Sequence, residues 1–368
     1  MQYEFHLQDP SSPKTTYLFE AIVAATRNAS SWRGMFAFAT PNGVDILFGD
    51  DDVREFLKNG NMSLLVGMDA ITTRATLERL KKLEAEHSSL TVRVFWNRTA
   101  GLFHPKLSHF TYPDGEKCLI VGSGNLTPGG LRQNVEGFSV VRAQQSERLS
   151  LNQWDRFLNT HAADIRPIDE DALKRAGENV FRRGPLPVEM ADPGLCGIDV
   201  GDVEAQPLPA ASADVDRVLV ARIPAAGGRW HQAHFNEEVT DNFFHVTPNS
   251  DQRVYLTEVR SDGTLGAQEV RPCVMSESNG NRKIELRSHA GVPYPSSNTP
   301  IAVFRELQVR TCAYVMLMPG DKGYKEMENL LAKSPQAGRG VQRAIVAVDD
   351  LRRAWVACPL LTAVVAAK

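Results

Sequence analysis

Along the first 180 residues, apolar residues at helical spacing alternate with short apolar runs, and this alternation ends at a proline-rich stretch. Leu18 and Ile22 lie on one face of a predicted helix, and residues 62–66 are a continuous apolar run typical of a buried strand. Leu77 and Leu80 return to helical spacing among charged residues. This alternation favours a layered α/β domain, because the strands must be covered by helices.

The other elements of this half are predicted from the same signals. A helix is predicted to begin at Ser11-Ser12-Pro13, where a capping hydroxyl precedes a proline, and a turn is predicted at Pro41-Asn42-Gly43. The run at 44–48 fits either a helix or a strand, and a later helix carries Trp154 and Phe157. Short apolar runs predict further strands at 35–39, 90–96, 107–110, 118–121 and 138–141.

The second half of the chain has a different pattern. Residues 184–214 contain five prolines with little periodicity, and beyond them short strand-like runs are separated by turn signals. We therefore predict one domain at 1–180, a linker at 181–215, and a mainly β domain at 216–368 that forms a small barrel. Its predicted strands are 218–223, 254–259, 283–287, 301–304, 313–317 and 343–348.

Charge and composition exclude several classes of protein. A net charge of -3 and a pI near 6.3 exclude a protein that coats nucleic acid by general phosphate neutralisation, so nucleic-acid contacts would need local patches. No apolar run has the roughly 18 residues of a membrane span, and the first residues do not resemble a signal peptide, so we expect a cytoplasmic protein without membrane association. The cysteines lack metal-ligand spacing and are expected to be free, buried thiols: Cys118, Cys196, Cys273, Cys312 and Cys358.

Two short motifs carry groups suited to phosphate chemistry. Residues two apart on a strand share a face, so His104 and Lys106 would project into one cleft. A neutral imidazole can attack phosphorus, and an ammonium beside it stabilises charge on the non-bridging oxygens. After 15 intervening residues, Gly122-Ser123-Gly124-Asn125 supplies a tight turn with a hydroxyl and an amide donor. Glu136, on the next predicted strand, is placed to fix the tautomer of a histidine.

Each motif is common by itself, since an isolated HxK pair usually has no function and GSGN is also a plausible hairpin turn. In this order they resemble the HxK...GSxN signature of the phospholipase D superfamily, and Asn134-Val135-Glu136 resembles that family's NxE segment. The resemblance implies a phospholipase D-like α/β/α layered domain and phosphodiester hydrolysis through a phosphohistidine intermediate. Thr111 departs from the pattern, which has Asp five residues after the lysine, and nuclease branches of the superfamily tolerate that loss. The implied catalytic residues are His104, Lys106, Ser123, Asn125 and Glu136.

The chain contains one copy of the signature, whereas the family chemistry uses two histidines. A symmetric homodimer supplies the second, so that His104 of one subunit attacks phosphorus and His104 of the other protonates the leaving oxygen. The sequence shows no acidic cluster suited to a divalent ion. We therefore expect a site that needs neither a metal nor another cofactor.

A second resemblance covers the carboxy-terminal half. Arg229-Trp230-His231-Gln232, Gly291-Val292-Pro293-Tyr294-Pro295 and Met316-Leu317-Met318-Pro319-Gly320-Asp321 are similar to the tail domain of phospholipase D type restriction endonucleases of the NgoFVII and BfiI kind. There the tail is a B3-like pseudobarrel that reads a short sequence in double-stranded DNA, and a cognate DNA methyltransferase is a further candidate partner. Polar side chains in the predicted arms either read base edges or are solvated loop residues. The candidates are Arg229, Gln232, Asn281, Arg282 and Lys283, whereas Trp230, Phe243 and Phe244 are predicted to be core.

Three hypotheses follow. The first is a metal-independent, sequence-specific DNA endonuclease of the restriction type, for which RNA or single-stranded DNA remains an alternative substrate. The second is a phospholipase or phosphatidyl transferase, which would need a membrane-docking surface that the sequence does not reveal. The third is a catalytically silent DNA-binding protein, against which the complete set of five catalytic residue types argues.

Overall fold

The structure is a computed structural model that describes residues 1–69, 71–98, 101–179, 217–225, 230–275, 280, 282–337 and 340–363. The chain divides into two compact units, Met1–Pro10 with Thr15–Glu204, and Ser11–Lys14 with Ala205–Lys368. The linker predicted at 181–215 lies outside the described residues. None of the helices in the described part of the chain is both long enough and apolar enough to cross a bilayer.

The first unit is built on an eight-stranded mixed sheet. Its strands are β1 (Gln2–Gln8), β2 (Ser31–Phe36), β3 (Asn61–Gly67), β4 (Leu90–Phe95), β5 (Lys106–Thr111), β6 (Lys117–Gly122), β7 (Glu136–Ala143) and β8 (Ile165–Arg166). They are ordered β1-β7-β6-β5-β2-β3-β4-β8. Strands β2, β3 and β4 run parallel, and the other neighbouring pairs are antiparallel.

Helices cover both faces of this sheet, which confirms a layered α/β unit. They are α1 (Leu18–Thr26), α2 (Pro41–Phe48), α3 (Asp51–Asn59), α4 (Arg74–Glu86), α5 (Asn152–Thr160) and α6 (Glu170–Glu178). On one face, Trp32 of β2 packs against Phe48 of α2 and Phe56 of α3, with ring centroids 6.4 and 6.2 Å apart. Met35 of the same strand points to the other face, where Trp154 of α5 joins its apolar cluster.

Some predicted element types and bounds in this unit are wrong. The strand predicted at 35–39 is β2, which spans Ser31–Phe36. The chain around Ser11-Ser12-Pro13 is not helical, and α1 begins only at Leu18. The backbone amide of Asp9 donates to the side-chain hydroxyl of Thr15 at 2.7 Å, and this hydrogen bond closes a loop over the segment. Pro41-Asn42-Gly43 is the first turn of α2. Proline suits that position, and the Thr40 hydroxyl caps the helix by accepting from the Gly43 amide at 3.2 Å.

The second unit contains two sheets. Its strands are β9 (Val218–Arg222), β10 (Gln232–Phe235), β11 (Arg253–Val259), β12 (Leu265–Pro272), β13 (Val274–Met275), β14 (Arg282–Glu285), β15 (Ile301–Gln308), β16 (Thr311–Leu317) and β17 (Arg343–Val346). Six form a sheet in the order β12-β11-β16-β15-β9-β17, and three form a sheet in the order β10-β14-β13. No pairing among the described strands closes either sheet into a ring, so the predicted small barrel is corrected to two open sheets.

The larger of these sheets is covered on both sides. The helices of the unit are α7 (Glu237–Asn242), α8 (Tyr324–Lys333), α9 (Val348–Ala354) and α10 (Pro359–Ala363). Met327 of α8 and Leu351 of α9 are fully buried in one cluster with Val220 of β9. On the opposite face, Phe235 of the smaller sheet lies 5.9 Å from Phe304 of β15, centroid to centroid. Every residue of β16 is therefore buried. A strand covered on both faces needs apolar side chains on both, and β16 has a nearly continuous run of them.

Several predictions about buried residues are confirmed. Trp230 is 3% exposed, and Phe243 and Phe244 are fully buried in the core of the second unit. Four cysteines are free and buried, namely Cys118, Cys273, Cys312 and Cys358, and the fifth lies outside the described residues.

One buried histidine makes the stability of the first unit depend on pH. Burial lowers the pKa of His109 from 6.5 to about 4, and the charges of Arg33 and Lys117 act in the same direction. The folded state thus favours the neutral ring, so this contribution is complete above pH 6.5 and is lost as the pH falls towards 4. We expect the free energy of unfolding to be about 2 kcal/mol lower at pH 5 than at pH 7 because of this group.

Urea unfolding of the wild type and of His109→Phe at the two pH values measures this effect. Phenylalanine fills a similar volume and does not titrate, so the variant should lose about 2 kcal/mol less on acidification than the wild type. An equal loss in both proteins would show that His109 does not carry the dependence.

Candidate active site

Three strand ends meet at one edge of the eight-stranded sheet. Strand β5 begins at Lys106, β6 ends at Gly122, and β7 begins at Glu136. Because β5 and β7 both pair antiparallel with β6, the starts of β5 and β7 lie beside the end of β6. The residues predicted from the sequence to act on phosphate therefore lie at the same edge of the sheet.

His104 and Lys106 contact each other directly. The Lys106 ammonium lies 2.9 Å from Nδ1 and 3.1 Å from Nε2 of His104, and it donates to the His104 carbonyl oxygen at 3.2 Å. An ammonium can only donate, so its contact with the ring requires a nitrogen that presents a lone pair. The ring is exposed and packs edge-on against Phe38, with centroids 5.5 Å apart, whereas Lys106 is only 9% exposed. An accessible imidazole is thus held by a largely buried cation.

Ser123 and Glu136 form a second contact across the same edge. The Ser123 hydroxyl donates to the Glu136 carboxylate and accepts from the Gly137 amide at 3.1 Å. The Asn134 side-chain amide donates to the other carboxylate oxygen of Glu136 at 3.3 Å. Within one subunit Glu136 therefore orients Ser123, and the expectation that it fixes the tautomer of a histidine stays a prediction.

Asn125 is oriented by a backbone contact. Its Oδ1 accepts from the Phe38 amide at 3.2 Å, and the side chain is 8% exposed. A backbone N–H can only donate, so this contact identifies the oxygen end of the amide and leaves Nδ2 as the donor for a ligand. An isolated parallel bridge between Ala39 and Leu126 holds the two segments together. Sequence reasoning missed Phe38, which supports both His104 and Asn125.

A five-residue π-helix, Gly129–Gln133, packs closely against the turn that carries Asn125. A Cβ at Gly130 would lie 2.3 Å from the Asn125 amide nitrogen and 2.5 Å from its carbonyl oxygen. Backbone atoms cannot move aside as a flexible side chain can, so Gly130→Ala must displace Asn125. We expect the free energy of unfolding to fall by about 1–3 kcal/mol.

Gly177→Ala is the matched control for this prediction. Gly177 lies in α6, and a Cβ there would meet no atom within 4 Å. Because alanine favours helices over glycine, this change should leave stability unchanged or raise it by up to about 1 kcal/mol. Thermal unfolding of both variants tests the pair, and equal midpoints would contradict the close approach at Gly130.

Thr111, where the family pattern has an aspartate, lies away from this edge. It is the last residue of β5, five positions and roughly 17 Å along the strand from Lys106. Its carbonyl oxygen accepts from the Ser30 amide at 2.8 Å. The departure at Thr111 therefore leaves the contacts of His104 and Lys106 unaffected.

The residues predicted to read DNA bases lie in different environments or outside the described residues. Arg229 and Asn281 lie outside the described residues. Arg282 is engaged within its own unit, because its guanidinium donates to Asp241 at 2.7 Å and to the Thr240 hydroxyl at 2.6 Å, and its role in reading bases stays a prediction. Its side chain is 15% exposed. Arg282 therefore anchors α7 to β14 within the second unit.

Gln232 and Lys283 lie on the outer face of the three-stranded sheet. The pairs Gln232–Glu285 and His234–Lys283 alternate with residues of β10 that point inward and are buried, Ala233 and Phe235. Burial lowers the pKa of His234, and the charges of Lys283 and Arg343 act in the same direction. His234 belongs to this polar face, and the alternation along β10 is the sequence signal that could have singled it out.

The part of the chain that the structure describes contains no candidate metal centre. No group of three or more His, Cys, Asp or Glu side chains among those residues is arranged to hold a metal ion.

The comparisons with known proteins give structural neighbours only. No protein-family model and no curated protein matches the chain. Yeast tyrosyl-DNA phosphodiesterase is similar over 48% of this chain and 41% of its own, at 17% identity and a TM-score of 0.32. Nuc from Salmonella typhimurium, a phospholipase D family member, is similar over 45% of this chain and 97% of its own, at 14% identity and a TM-score of 0.34. NucT from Helicobacter pylori is similar over 45% of this chain and 99% of its own, at 9% identity and a TM-score of 0.30.

Proposed function

We propose that this chain is a phosphodiesterase of the phospholipase D type that cuts DNA, with His104 as its nucleophile. The observation that carries the proposal is the contact between the Lys106 ammonium and the exposed His104 ring, at 2.9 and 3.1 Å from the two ring nitrogens. Ser123 and Asn125 lie at the same sheet edge with their side chains held by neighbouring groups. A nucleophile, a cation and two neutral hydrogen-bonding groups are the components that attack on a phosphodiester requires.

In the first step, a ring nitrogen of His104 attacks phosphorus, and a P–N bond forms while the P–O bond to the leaving strand breaks. Negative charge grows on the non-bridging oxygens, where the Lys106 ammonium and Nδ2 of Asn125 stabilise it. A bound phosphate also competes with the imidazole for the Lys106 ammonium. Substrate binding thereby releases the lone pair that the attack uses.

The leaving oxygen takes a proton from the imidazolium of His104 in a second copy of the chain. In the second step, water attacks the phosphohistidine, the neutral imidazole of that second copy accepts a water proton, and the P–N bond breaks. Both rings return to their starting states, so protons and bonds balance over the cycle. The proposal therefore includes a homodimer whose two subunits share one site.

Double-stranded DNA is the proposed substrate, and the second unit is proposed to recognise its sequence in a B3-like manner. Support comes from the outer face of the three-stranded sheet, where Gln232, His234 and Lys283 offer donors and acceptors of the kind that read base edges. We propose that the biological role is restriction of foreign DNA. A cognate methyltransferase would be the partner enzyme.

Cleavage assays in EDTA test the proposed function. The full chain would be incubated separately with four substrates. These are a library of DNA duplexes of varied sequence, single-stranded DNA, duplex RNA, and phosphatidylcholine vesicles. We expect discrete cuts in duplex DNA at a fixed distance from a common sequence, unaffected by the chelator. Cutting that disappears in EDTA, or hydrolysis confined to lipid, would overturn the proposal.

A further inference from the structure

Two arginines stack over one tryptophan near the β8 end of the eight-stranded sheet. The Cζ atom of Arg166, in β8, lies 4.5 Å from the centroid of the Trp96 ring, and that of Arg175, in α6, lies 4.8 Å from it. Trp96 directly follows β4, and all three side chains are only partly buried. Each contact is favourable, because the face of an aromatic ring attracts a cation. The three residues are hereafter called the arginine cluster.

The arginine cluster lies at the same edge of the sheet as the candidate active site. Strands β2, β3 and β4 run parallel, and β5 runs antiparallel to β2. The end of β4 and the start of β5 therefore share an edge. Trp96 follows the end of β4, and Lys106 is the first residue of β5.

Arg166 also points to the same side of the sheet as Lys106. Paired residues on neighbouring strands share a side, and one row of pairs joins the two cations. The row consists of Lys106, Phe36, Val66, Val94 and Arg166. Its ends lie four strand spacings apart in the order β5-β2-β3-β4-β8, which is about 19 Å. The two cations therefore lie on one side of the same sheet edge.

The two arginines differ in how their charges are offset. Arg175 lies 3.6 Å from the Asp69 carboxylate and donates to the Asn97 carbonyl oxygen at 2.9 Å. The Asn97 side-chain amide donates to the same carboxylate at 3.1 Å, so these contacts hold Arg175 in place. Among the residues that the structure describes, no carboxylate forms an ion pair with Arg166. The charge of Arg166 is therefore the one that an anion can engage.

Stacking on Trp96 prepares Arg166 to bind a phosphate. A guanidinium group is planar, so its face can contact the ring while the N–H donors at its rim remain available. Two parallel N–H donors match two oxygens of a phosphate group. A side chain that is already held in place also loses less conformational freedom when the ligand binds. The arginine cluster thus has the chemistry of a phosphate subsite.

We propose that Arg166 binds a backbone phosphate of the DNA strand that leads away from the phosphate attacked by His104, with Trp96 and Arg175 as positioning residues. The inference rests on the proposed function and adds a second contact to the substrate. One strand of duplex DNA carries a phosphate for about every 3.4 Å of helix axis, so about 19 Å corresponds to roughly five or six nucleotides. This contact orients the DNA along the sheet edge and reads no sequence.

Binding of a fluorescein-labelled duplex of random sequence tests the contact. The His104→Ala chain serves as the parent, so that cleavage does not consume the probe. Adding Arg166→Gln should weaken binding by about 10-fold at about 0.1 M salt. It should also reduce the slope of log affinity against log salt concentration by about 1, because one phosphate contact is lost.

Arg54→Gln is the matched control for this variant. Arg54 lies on α3, which leads into the start of β3 at the opposite edge of the sheet, and its side chain is 52% exposed. The control should bind with the affinity and salt slope of the parent. Equal values for Arg166→Gln and Arg54→Gln would overturn the proposal.

Arg166→Lys separates the charge of this residue from its part in the fold. Lysine keeps the charge and loses the planar pair of donors, so the salt slope should stay at the parent value while affinity falls by less than in Arg166→Gln. Circular dichroism would establish that each variant is folded. A lysine variant that loses as much salt slope as the glutamine variant would show a structural effect and overturn the proposal.

Cleavage of duplexes of different lengths tests the position of the contact. In the chain with His104 intact, Arg166→Gln should raise KM by about 10-fold and change kcat by less than about twofold, because the contact lies away from the reacting phosphorus. Shortening the duplex to about three base pairs on one side of the cut should raise the wild-type KM by a similar factor. The same shortening should not raise the KM of Arg166→Gln further. Additive increases would overturn the proposed placement.

The outcomes separate this inference from the proposed function. A chain that binds duplex DNA through Arg166 but cuts no phosphodiester supports the subsite and removes the function. A chain that cuts DNA, and in which Arg166→Gln matches Arg54→Gln in affinity, salt slope and KM, overturns the subsite and leaves the function standing.

Discussion

His104→Ala is expected to lower the rate of DNA cleavage by about 10⁴-fold or more, because it removes both the proposed attacking nitrogen and the proposed acid for the leaving oxygen. The ring is exposed, so its removal opens no cavity in the core and should leave folding and DNA binding intact. Single-turnover cleavage and a gel-shift assay on the same preparation measure the two properties separately.

His87→Ala is the control for this variant, since His87 follows the end of α4 and belongs to no part of the site. It should cut DNA at the wild-type rate. If His104→Ala cuts as fast as the control, the assigned nucleophile is wrong.

Mixed dimers extend the same experiment. In a shared site, a dimer with one His104→Ala subunit lacks either the nucleophile or the acid. After subunit exchange at equal amounts, only about one quarter of the dimers contain two intact subunits. Activity near one quarter of the wild type therefore indicates a shared site, whereas activity near one half would show that each subunit works alone.

Lys106→Gln is expected to lower kcat by about 10²- to 10³-fold. Glutamine keeps a donor at this position and removes the charge, so the variant tests charge stabilisation on the non-bridging oxygens. Because Lys106 is largely buried, a long side chain such as glutamine is a better replacement than a short one, which would leave a cavity. The expected loss is smaller than for His104 because attack on phosphorus remains possible.

Lys82→Gln makes the same change on the exposed surface of α4, where the Lys82 side chain is 69% exposed. Its kcat should equal that of the wild type. A Lys106→Gln enzyme with unchanged kcat and a raised KM would mean that the ammonium only binds substrate, contrary to the proposed role.

The contact between His104 and Lys106 could be predicted from the sequence because the two residues are only two positions apart, although His104 precedes β5, which begins at Lys106, and does not lie on the strand as predicted. Ser123 and Asn125 follow the end of β6 in a longer connection and not in a tight hairpin turn, and antiparallel pairing puts the end of β6 beside the start of β5. The alternation of apolar segments likewise predicted the layered α/β unit, since burial on both faces of a sheet leaves a periodic pattern.

Other features depend on contacts that no local pattern encodes. Phe38 reaches His104 and Asn125 from a distant part of the chain, and Glu136 contacts Ser123 because the register of β6 and β7 places them together. Nothing in the sequence indicated that Arg282, a predicted base reader, contacts two carboxylates and a hydroxyl on α7. The barrel prediction failed because helices and a second sheet, rather than closure, cover the large sheet of the second unit.

A ring nitrogen of His104 is proposed to form a covalent bond to phosphorus during turnover. Mass spectrometry of rapidly quenched reactions tests this proposal most directly. A mixture of enzyme and DNA would be quenched in base, which preserves a P–N bond, then digested and sequenced. We predict a nucleotide adduct on the peptide that contains His104, which disappears on brief exposure to acid and is missing in His104→Ala. Rapid cleavage with no adduct at any time point, or with the adduct on another residue, would contradict the claim.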